Sequence, residues 1–195
     1  MNEFDIKAAG WDSNPMHWDR SVAIVDNLLK QIPLDRNITA LEYGAGTGIT
    51  GFLLKDHLKE ITMMDSSSEM VRIMNEKIKS TGSNNLKALL FDLEKDDPAE
   101  SKFDLVITQM VLHHVADIKN IIRKFFNLLN PGGYLAIADL YTEDGSFHGE
   151  DFLGHKGFDP GELSALVNSV GFENTFTGKC FVIKKKYLGI GNTPI

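Results

Sequence analysis

The residues best placed to do chemistry begin at Leu41-Glu42-Tyr43-Gly44-Ala45-Gly46-Thr47-Gly48 and continue through Ile49-Thr50-Gly51. Apolar residues, an acid and then glycines at every second position describe a strand running into a tight turn and a helix. Glycine lets backbone come close to a ligand and tolerates positive φ. The first N–H groups of the helix that follows point into the same space. The chemistry on offer is therefore ligand binding by backbone. Asp65, closing the next apolar run, adds a carboxylate able to accept both hydroxyls of a ribose. The dinucleotide fingerprint G-x-G-x-x-G requires glycine where Ile49 stands. That departure counts against a nucleotide-dependent oxidoreductase.

Two further groups carry titratable side chains. His113 and His114 follow the fourth predicted strand, on the edge of the sheet where open α/β folds bind ligands. The segment Asp139-Leu140-Tyr141-Thr142-Glu143-Asp144-Gly145-Ser146-Phe147-His148, continuing to Phe152, His155 and Phe158, mixes aromatics with acids and histidines. That is the composition of a small pocket wall. His113, His114 and His148 are the candidate general bases, and Tyr141, Phe147, His148 and His155 the candidate wall. His148, Asp151 and His155 match no firm ligand spacing, so no metal is expected.

The elements that must position these groups follow from periodicity. Residues 1–20, with Trp11, Pro15, His17 and Trp18, are weakly periodic and read as an arm. Val22–Ile32 gives a helical face that stops at Pro33. Strands are predicted at Ile38–Tyr43, Glu60–Met64, Leu86–Phe91, Phe103–Thr108 and Tyr134–Leu140. Helices are predicted at Thr47–Leu58, Ser67–Ser80, Ile118–Leu129 and Pro160–Ser169, the third closed by Asn130-Pro131-Gly132-Gly133. Asp104 opens a strand and is read as structural. Phe172–Thr177 and Lys179–Lys185, joined by Gly178, read as an antiparallel hairpin. The expected fold is single-domain α/β, Rossmann-like: a mostly parallel seven-stranded sheet ending in that hairpin, with helices on both faces. Residues 1–37 form an arm and helix able to act as a lid, 38–186 the catalytic domain and 187–195 a tail.

Bulk composition narrows the partners. A length of 195 residues, 43% of them hydrophobic, suits one sizeable core. A net charge of −7 argues against a broad nucleic-acid footprint; Lys184-Lys185-Lys186 reads as a solvated strand end. Cys180 is the sole cysteine and reads as a small core residue. No apolar run is long enough to cross a membrane and no signal-peptide pattern opens the chain, so the expected location is cytoplasmic.

Taken in order, these motifs over residues 38–186 resemble the class I S-adenosylmethionine-dependent methyltransferases, of the small-molecule type. The glycine loop resembles that family's first motif. Asp65-Ser66 resembles its ribose-binding acid, Phe91-Asp92-Leu93 its third motif, and Phe103–Gln109 with Met110–Val115 its fourth. The resemblance implies S-adenosylmethionine as cofactor and S-adenosylhomocysteine as product. By it, Gly44, Gly46 and Gly48 run under the methionine part and Glu42 orients the ammonium. Asp65 and Ser66 hold the ribose, Met70 packs on adenine, Asp92 with Leu93 receives the adenine amino group, and Gln109 closes the fourth motif beside the cofactor. Methyl transfer from a sulfonium is an in-line displacement resting largely on alignment, with a base needed only where the acceptor must lose a proton.

The Asn/Asp-Pro-Pro-Tyr tetrapeptide of amide- and amino-directed enzymes does not follow strand four, and no Pro-Cys pair is present. A small-molecule acceptor is therefore expected, with Trp11 and Trp18 of the arm closing its pocket. The rivals are a protein or RNA acceptor, or a non-catalytic domain that binds the cofactor and works through a partner. The oligomeric state is left open.

Overall fold

β1, Thr39–Tyr43, runs through the centre of the molecule and decides where everything else sits. It pairs in parallel with β2 (Glu60–Asp65) on one side and β4 (Phe103–Gln109) on the other. β3 (Leu86–Leu90) adds beyond β2 and β5 (Leu129–Ala138) beyond β4, giving the parallel order β3-β2-β1-β4-β5. The chain reverses direction across the sheet between β1 and β4. Ligands of open α/β sheets bind at such a switch point, beyond the carboxyl ends of the strands. The computed structural model describes residues 3–98, 101–145, 147–148, 152–184 and 192–194.

Both faces of the sheet are buried, as continuous apolar strands require. On one face Ala40, Leu105 and Ile107 pack with Val25 and Leu28 of α2 (Pro15–Gln31) and Leu54 of α3 (Ile49–Leu54), and with Val71 and Met74 of α4 (Ser68–Thr81). On the other, Leu41 and Val106 pack with Ile121, Ile122 and Phe125 of α5 (Ile118–Leu128) and Val167 of α6 (Pro160–Val170). The alternation Ala40/Leu41 and Leu105/Val106/Ile107 is the period-two rule at work. Asp104 is structural, as expected: its oxygens accept from Thr39 N, Thr39 Oγ1 and Asn130 Nδ2, tying β4 to β1 and β5.

Several expectations need correction. The arm is helical: α1 covers Glu3–Lys7, a 3₁₀ segment covers Ala8–Ser13, and α2 starts at Pro15 rather than Val22. Asn14 caps α2 by accepting from Met16 N, with proline at the first helical position, a favoured start. The helix after the glycine loop is shorter than predicted, ending at Leu54. Asn130–Gly133 does not separate a helix from a strand. β5 pairing already begins at Leu129, and a register shift between Phe103 and Leu105 absorbs the extra residues.

Among the described residues the main sheet has five strands, not seven. Residues 172–177 form no strand, so there is no hairpin about Gly178. A short antiparallel pair instead joins β6 (Val182–Lys184) to β7 (Asn192–Pro194) as a separate sheet. Lys185, Lys186 and Asp151 lie outside the described residues. Cys180 is half-buried beside Leu140 and Ile183, and burial pushes its thiol upward. No described helix is long and apolar enough to cross a membrane.

Candidate functional site

A cavity of about 710 Å³ opens over the carboxyl ends of β1, β2 and β4. Its floor is the glycine loop. Gly44 sits at φ +68°, and a β-carbon there would strike Val111 Cγ2 at 2.4 Å, so no side chain fits between the loop and the segment after β4. Gly46, at φ +58°, donates its N–H to Asp65 Oδ2 at 2.7 Å, and Ala45 N donates to the Met64 carbonyl. The loop is thereby pinned to the end of β2.

Three carboxylates from neighbouring strand ends line this side. Glu42 is 3% exposed and accepts from Gly51 N at 3.0 Å. Burial pushes its carboxyl up to about 8, against hydrogen bonds from Thr50 and Gly51 that pull the other way. Asp65 is raised by burial too, opposed by the N–H groups of Ser67 and Gly46. A carboxylate has about four acceptor positions, and the N–H groups of Gly46, Ser67 and Ser66 are directed at Asp65. Acceptor capacity remains for a ligand hydroxyl. Burial works to raise Asp92, but the Lys95 ammonium at 2.6 Å outweighs it and holds the carboxyl below its usual range. Ser66, Met70, Leu93 and Gln109 also line the cavity. Ser67 caps α4, accepting from Met70 N, and so aims Met70 inward.

Gly48 is a correction. It is absent from the cavity wall; a β-carbon on it would meet Met63 Sδ at 2.8 Å and Met74 Cγ at 3.2 Å. Its role is to let α3 begin against β2 and α4.

The other side of the cavity is built from α2 and the segments after β4 and β5. His113, 2% exposed, places Nδ1 2.6 Å from Asp139 Oδ1. Asp139 also accepts from Val111 N and Leu140 N, so its position is fixed from three directions. A carboxylate on Nδ1 selects the tautomer with the proton there and leaves Nε2 as the imidazole's basic nitrogen. His114 packs at 4.2 Å on His113 and edge-on to Phe4. Burial, then the charge of His113, pushes its imidazole down to about 4. His148 stacks on Phe152 at 3.9 Å and lies 4.9 Å from His113. Phe147 joins the same wall. All three candidate bases thus meet in one place.

Of the expected acceptor wall, Trp11 lines the cavity, packed on His17 at 4.2 Å. Trp18 does not: it is 51% exposed, because Met16, His17, Arg20 and Ser21 occupy the inward face of α2 and Trp18 falls between them. Tyr141 lines a different cavity of about 360 Å³, bridging Phe158 through the backbone. His155 lies outside the main cavity as well, with Nε2 on the Val115 carbonyl and its N–H on the His113 carbonyl. It steadies the histidine segment rather than meeting a ligand. No group of three His, Cys, Asp or Glu among the described residues is arranged to hold a metal.

Sequence reasoning missed four polar side chains. Asp139 was visible only as part of a mixed segment, although an acid directly after a β-strand near a histidine pair is a usable signal. Asp5 and Asp12 bring the N-terminal segment down: Asp5 accepts from Ser67 Oγ at 2.6 Å, and Asp12 from Thr47 Oγ1 and, at 2.9 Å, from Lys77 Nζ. Arg20, 6% exposed, also lines the cavity.

Fold and site together define the class: a Rossmann-like protein with the parallel strand order and switch-point cavity of the methyltransferase fold. The family model described as a methyltransferase domain matches residues 16–177. The chain belongs to this family, whose methyl donor is S-adenosylmethionine.

An uncharacterised methyltransferase of Schizosaccharomyces pombe is 28% identical over 172 residues, covering 80% of this chain and 59% of the relative. A hybrid polyketide–nonribosomal peptide synthetase of Chaetomium globosum is 30% identical over 171 residues, 83% of this chain but 4% of the synthetase. The chain thus spans less than two thirds of either relative. Among solved structures, a complex of the Haloferax volcanii Trm112 methyltransferase activator with a methyltransferase gives a TM-score of 0.74 at 20% identity, covering 98% of this chain and 83% of that one. A SAM-dependent methyltransferase from Aquifex aeolicus gives 0.64 at 18%, covering 88% and 92%. At such identities the structures speak for the fold alone.

Proposed function

We propose that this protein is an S-adenosylmethionine-dependent methyltransferase acting on a small-molecule acceptor. The observation that carries the reading is the division of one cavity. Carboxylates from β1, β2 and the turn after β3 stand on one side, histidines and aromatics from α2, β4 and β5 on the other. The cavity volume lies within the range of small-ligand sites. When bound, S-adenosylmethionine supplies a sulfonium-activated methyl group.

The fit of the residues to that donor is specific. Glu42, buried and short of counter-charge, suits an ammonium. Asp65 keeps acceptor capacity for a ribose hydroxyl, and Met70 offers an apolar surface to adenine. Asp92 and Leu93 stand at the purine end and Ser66 beside the ribose. Gln109 is held by Ser21 Oγ at 2.8 Å and Thr50 Oγ1 at 3.3 Å, at the boundary between the two sides. The acceptor faces His113, His114, Phe147 and His148, with Trp11 of the N-terminal segment as cover. His113, oriented by Asp139, takes the acceptor's proton at Nε2 where deprotonation is required. The lid is narrower than residues 1–37: α2 is packed into the core through Val25 and Leu28, and the segment ahead of it, Glu3–Ser13, acts as the lid.

The test is incubation of the protein with methyl-labelled S-adenosylmethionine and cell extract, followed by separation by size. Label in the small-molecule fraction, with S-adenosylhomocysteine formed in equal amount, is the expected result. Label confined to protein or RNA overturns the acceptor class. Binding of the donor with no labelled product in any fraction favours a non-catalytic domain.

A further inference from the structure

α2 carries one charged side chain that the reading above does not use. Arg20 is buried to 6% exposure, yet its Nε has no hydrogen-bond partner. It forms no ion pair with any described residue. The charge that acts on it is that of Asp139, whose oxygens are already engaged by His113 Nδ1, Val111 N and Leu140 N. Desolvation pushes the guanidinium down to about 10. A buried cation without a partner is costly, and proteins rarely keep one where an apolar residue of similar volume would serve.

Its position is set on both sides. The next residue, Ser21, is fully buried and accepts from Gln109 Nε2, while Gln109 Oε1 accepts from Thr50 Oγ1. That polar chain leads back to Glu42, which Thr50 also reaches. On the other side stand Asp139 and His113. Arg20 therefore lies at the seam between the two halves of the cavity, on the wall and out of bulk water.

We propose that Arg20 is the carboxylate receptor of this cavity, taking a ligand carboxylate on its guanidinium fork. The planar donors of arginine match a carboxylate in paired hydrogen bonds, and shielding from water strengthens them. The carboxylate comes either from the amino-acid end of the donor or from an acidic acceptor, since Arg20 borders the space assigned to each. This inference rests on the donor reading above.

Calorimetry on the intact chain and on Arg20→Met and Arg20→Lys separates the sources. Three probes are used: S-adenosylhomocysteine, 5′-methylthioadenosine, which lacks the amino-acid end, and malonate titrated into protein saturated with S-adenosylhomocysteine. If the donor supplies the carboxylate, Arg20→Met weakens S-adenosylhomocysteine by at least about tenfold and leaves 5′-methylthioadenosine within about twofold. If the acceptor supplies it, S-adenosylhomocysteine is unchanged and malonate binding is lost. In either case Arg20→Lys, which keeps the charge but not the fork, falls between the two.

Unchanged binding of all three probes overturns the proposal. So does an Arg20→Met protein whose ligand-free melting temperature drops by more than about 5 °C while both nucleosides weaken alike, since Arg20 would then be structural. Absence of both nucleosides' binding in the unaltered chain counts against the donor reading instead.

Discussion

The two sides of the cavity do opposite electrostatic work with residues drawn from different parts of the fold. Lys7 and the Tyr43 phenol apart, the ionisable groups of one side are carboxylates at or just after strand ends: Glu42, Asp65, Asp92 and Glu94. The other side has His113, His114 and His148 after β4 and β5, and His17 and Arg20 on α2. A donor with sulfonium and ammonium against a single carboxylate is a net cation, and the acidic side suits it. The imidazole side suits an acceptor that must shed a proton, or one that arrives negatively charged. The acidic side hangs on the sheet and is stiff. The imidazole side hangs largely on connecting segments, tied by Asp139 to His113 and by His155 to the Val115 and His113 carbonyls. On the proposed reading, donor binding follows from the sheet and acceptor choice from the segments attached to it.

That division can be broken by substitution. The largest effect is expected at His113→Ala or Asp139→Asn. If proton removal limits the reaction, turnover falls by at least about 100-fold, with S-adenosylhomocysteine affinity held within about twofold by calorimetry. A loss of donor affinity equal to the loss of turnover would erase the distinction between sides. Next, Asp65→Ala weakens S-adenosylmethionine by at least about tenfold, because hydrogen bonding to a ribose and the Gly46 anchor go together. Unchanged affinity refutes the donor assignment.

A third prediction concerns pH. Glu42 loses its proton near 4.5 in the unfolded chain and near 8 in the ligand-free fold. Across that window the unfolded state gains by ionising, so Glu42 lowers folding stability as pH rises. A bound ammonium favours the ionised form, so donor binding expels a proton and tightens as pH rises toward 8. Glu42→Gln flattens the pH dependence of both urea-unfolding free energy and calorimetric affinity. A dependence that persists in Glu42→Gln assigns it elsewhere.

The smaller effects sharpen the boundary. Ser67→Ala removes an N-cap and the Asp5 contact, costing about 1 kcal/mol of stability, and its melting temperature should fall without any loss of turnover. Trp18→Ala should leave donor affinity and turnover at the level of the intact chain, since the side chain points away from the cavity. A substantial loss there would put Trp18 back on the wall.

Much of this was legible beforehand, and the exceptions have physical reasons. The strands showed because buried parallel strands are continuous apolar runs. Glu42, Asp65 and Asp92 showed because each closes or follows such a run. Arg20 was hidden because a charge on an amphipathic helix ordinarily faces water, yet its phase was readable: Arg20, Ile24 and Leu28 repeat at helical spacing. Trp18 breaks that phase, and aromaticity near a terminus was a poor guide to its direction. Gly48 looked like its neighbours Gly44 and Gly46, because a spacing of two says nothing about which side of the turn packs on Met63. Met110 adopts φ +57°, a conformation costing methionine of order 1–3 kcal/mol. No residue type announces it, and it bends the chain after β4 so that Val111 covers Gly44. The expected hairpin failed for want of a long-range signal: residues 172–177 line the second cavity instead of joining the sheet.

The hold of Asp5 on Ser67 and of Asp12 on Thr47 and Lys77 bears on timing. Trp11 stands over Gly46, so donor entry and product exit on this side of the cavity pass beneath the N-terminal segment. The contacts holding it are a few polar bonds, each worth about 1 kcal/mol, together with buried Ala8 and the ring contacts of Phe4 on His114 and Trp11 on His17. On the proposed reading, residence time of the spent nucleoside depends on residues that touch neither the methyl group nor the acceptor. Asp12→Ala should raise the dissociation rate of S-adenosylhomocysteine in stopped flow. Where release limits the cycle, the same change speeds turnover, and the pace of the proposed reaction is then governed by the first turns of helix rather than by the residues that face the acceptor.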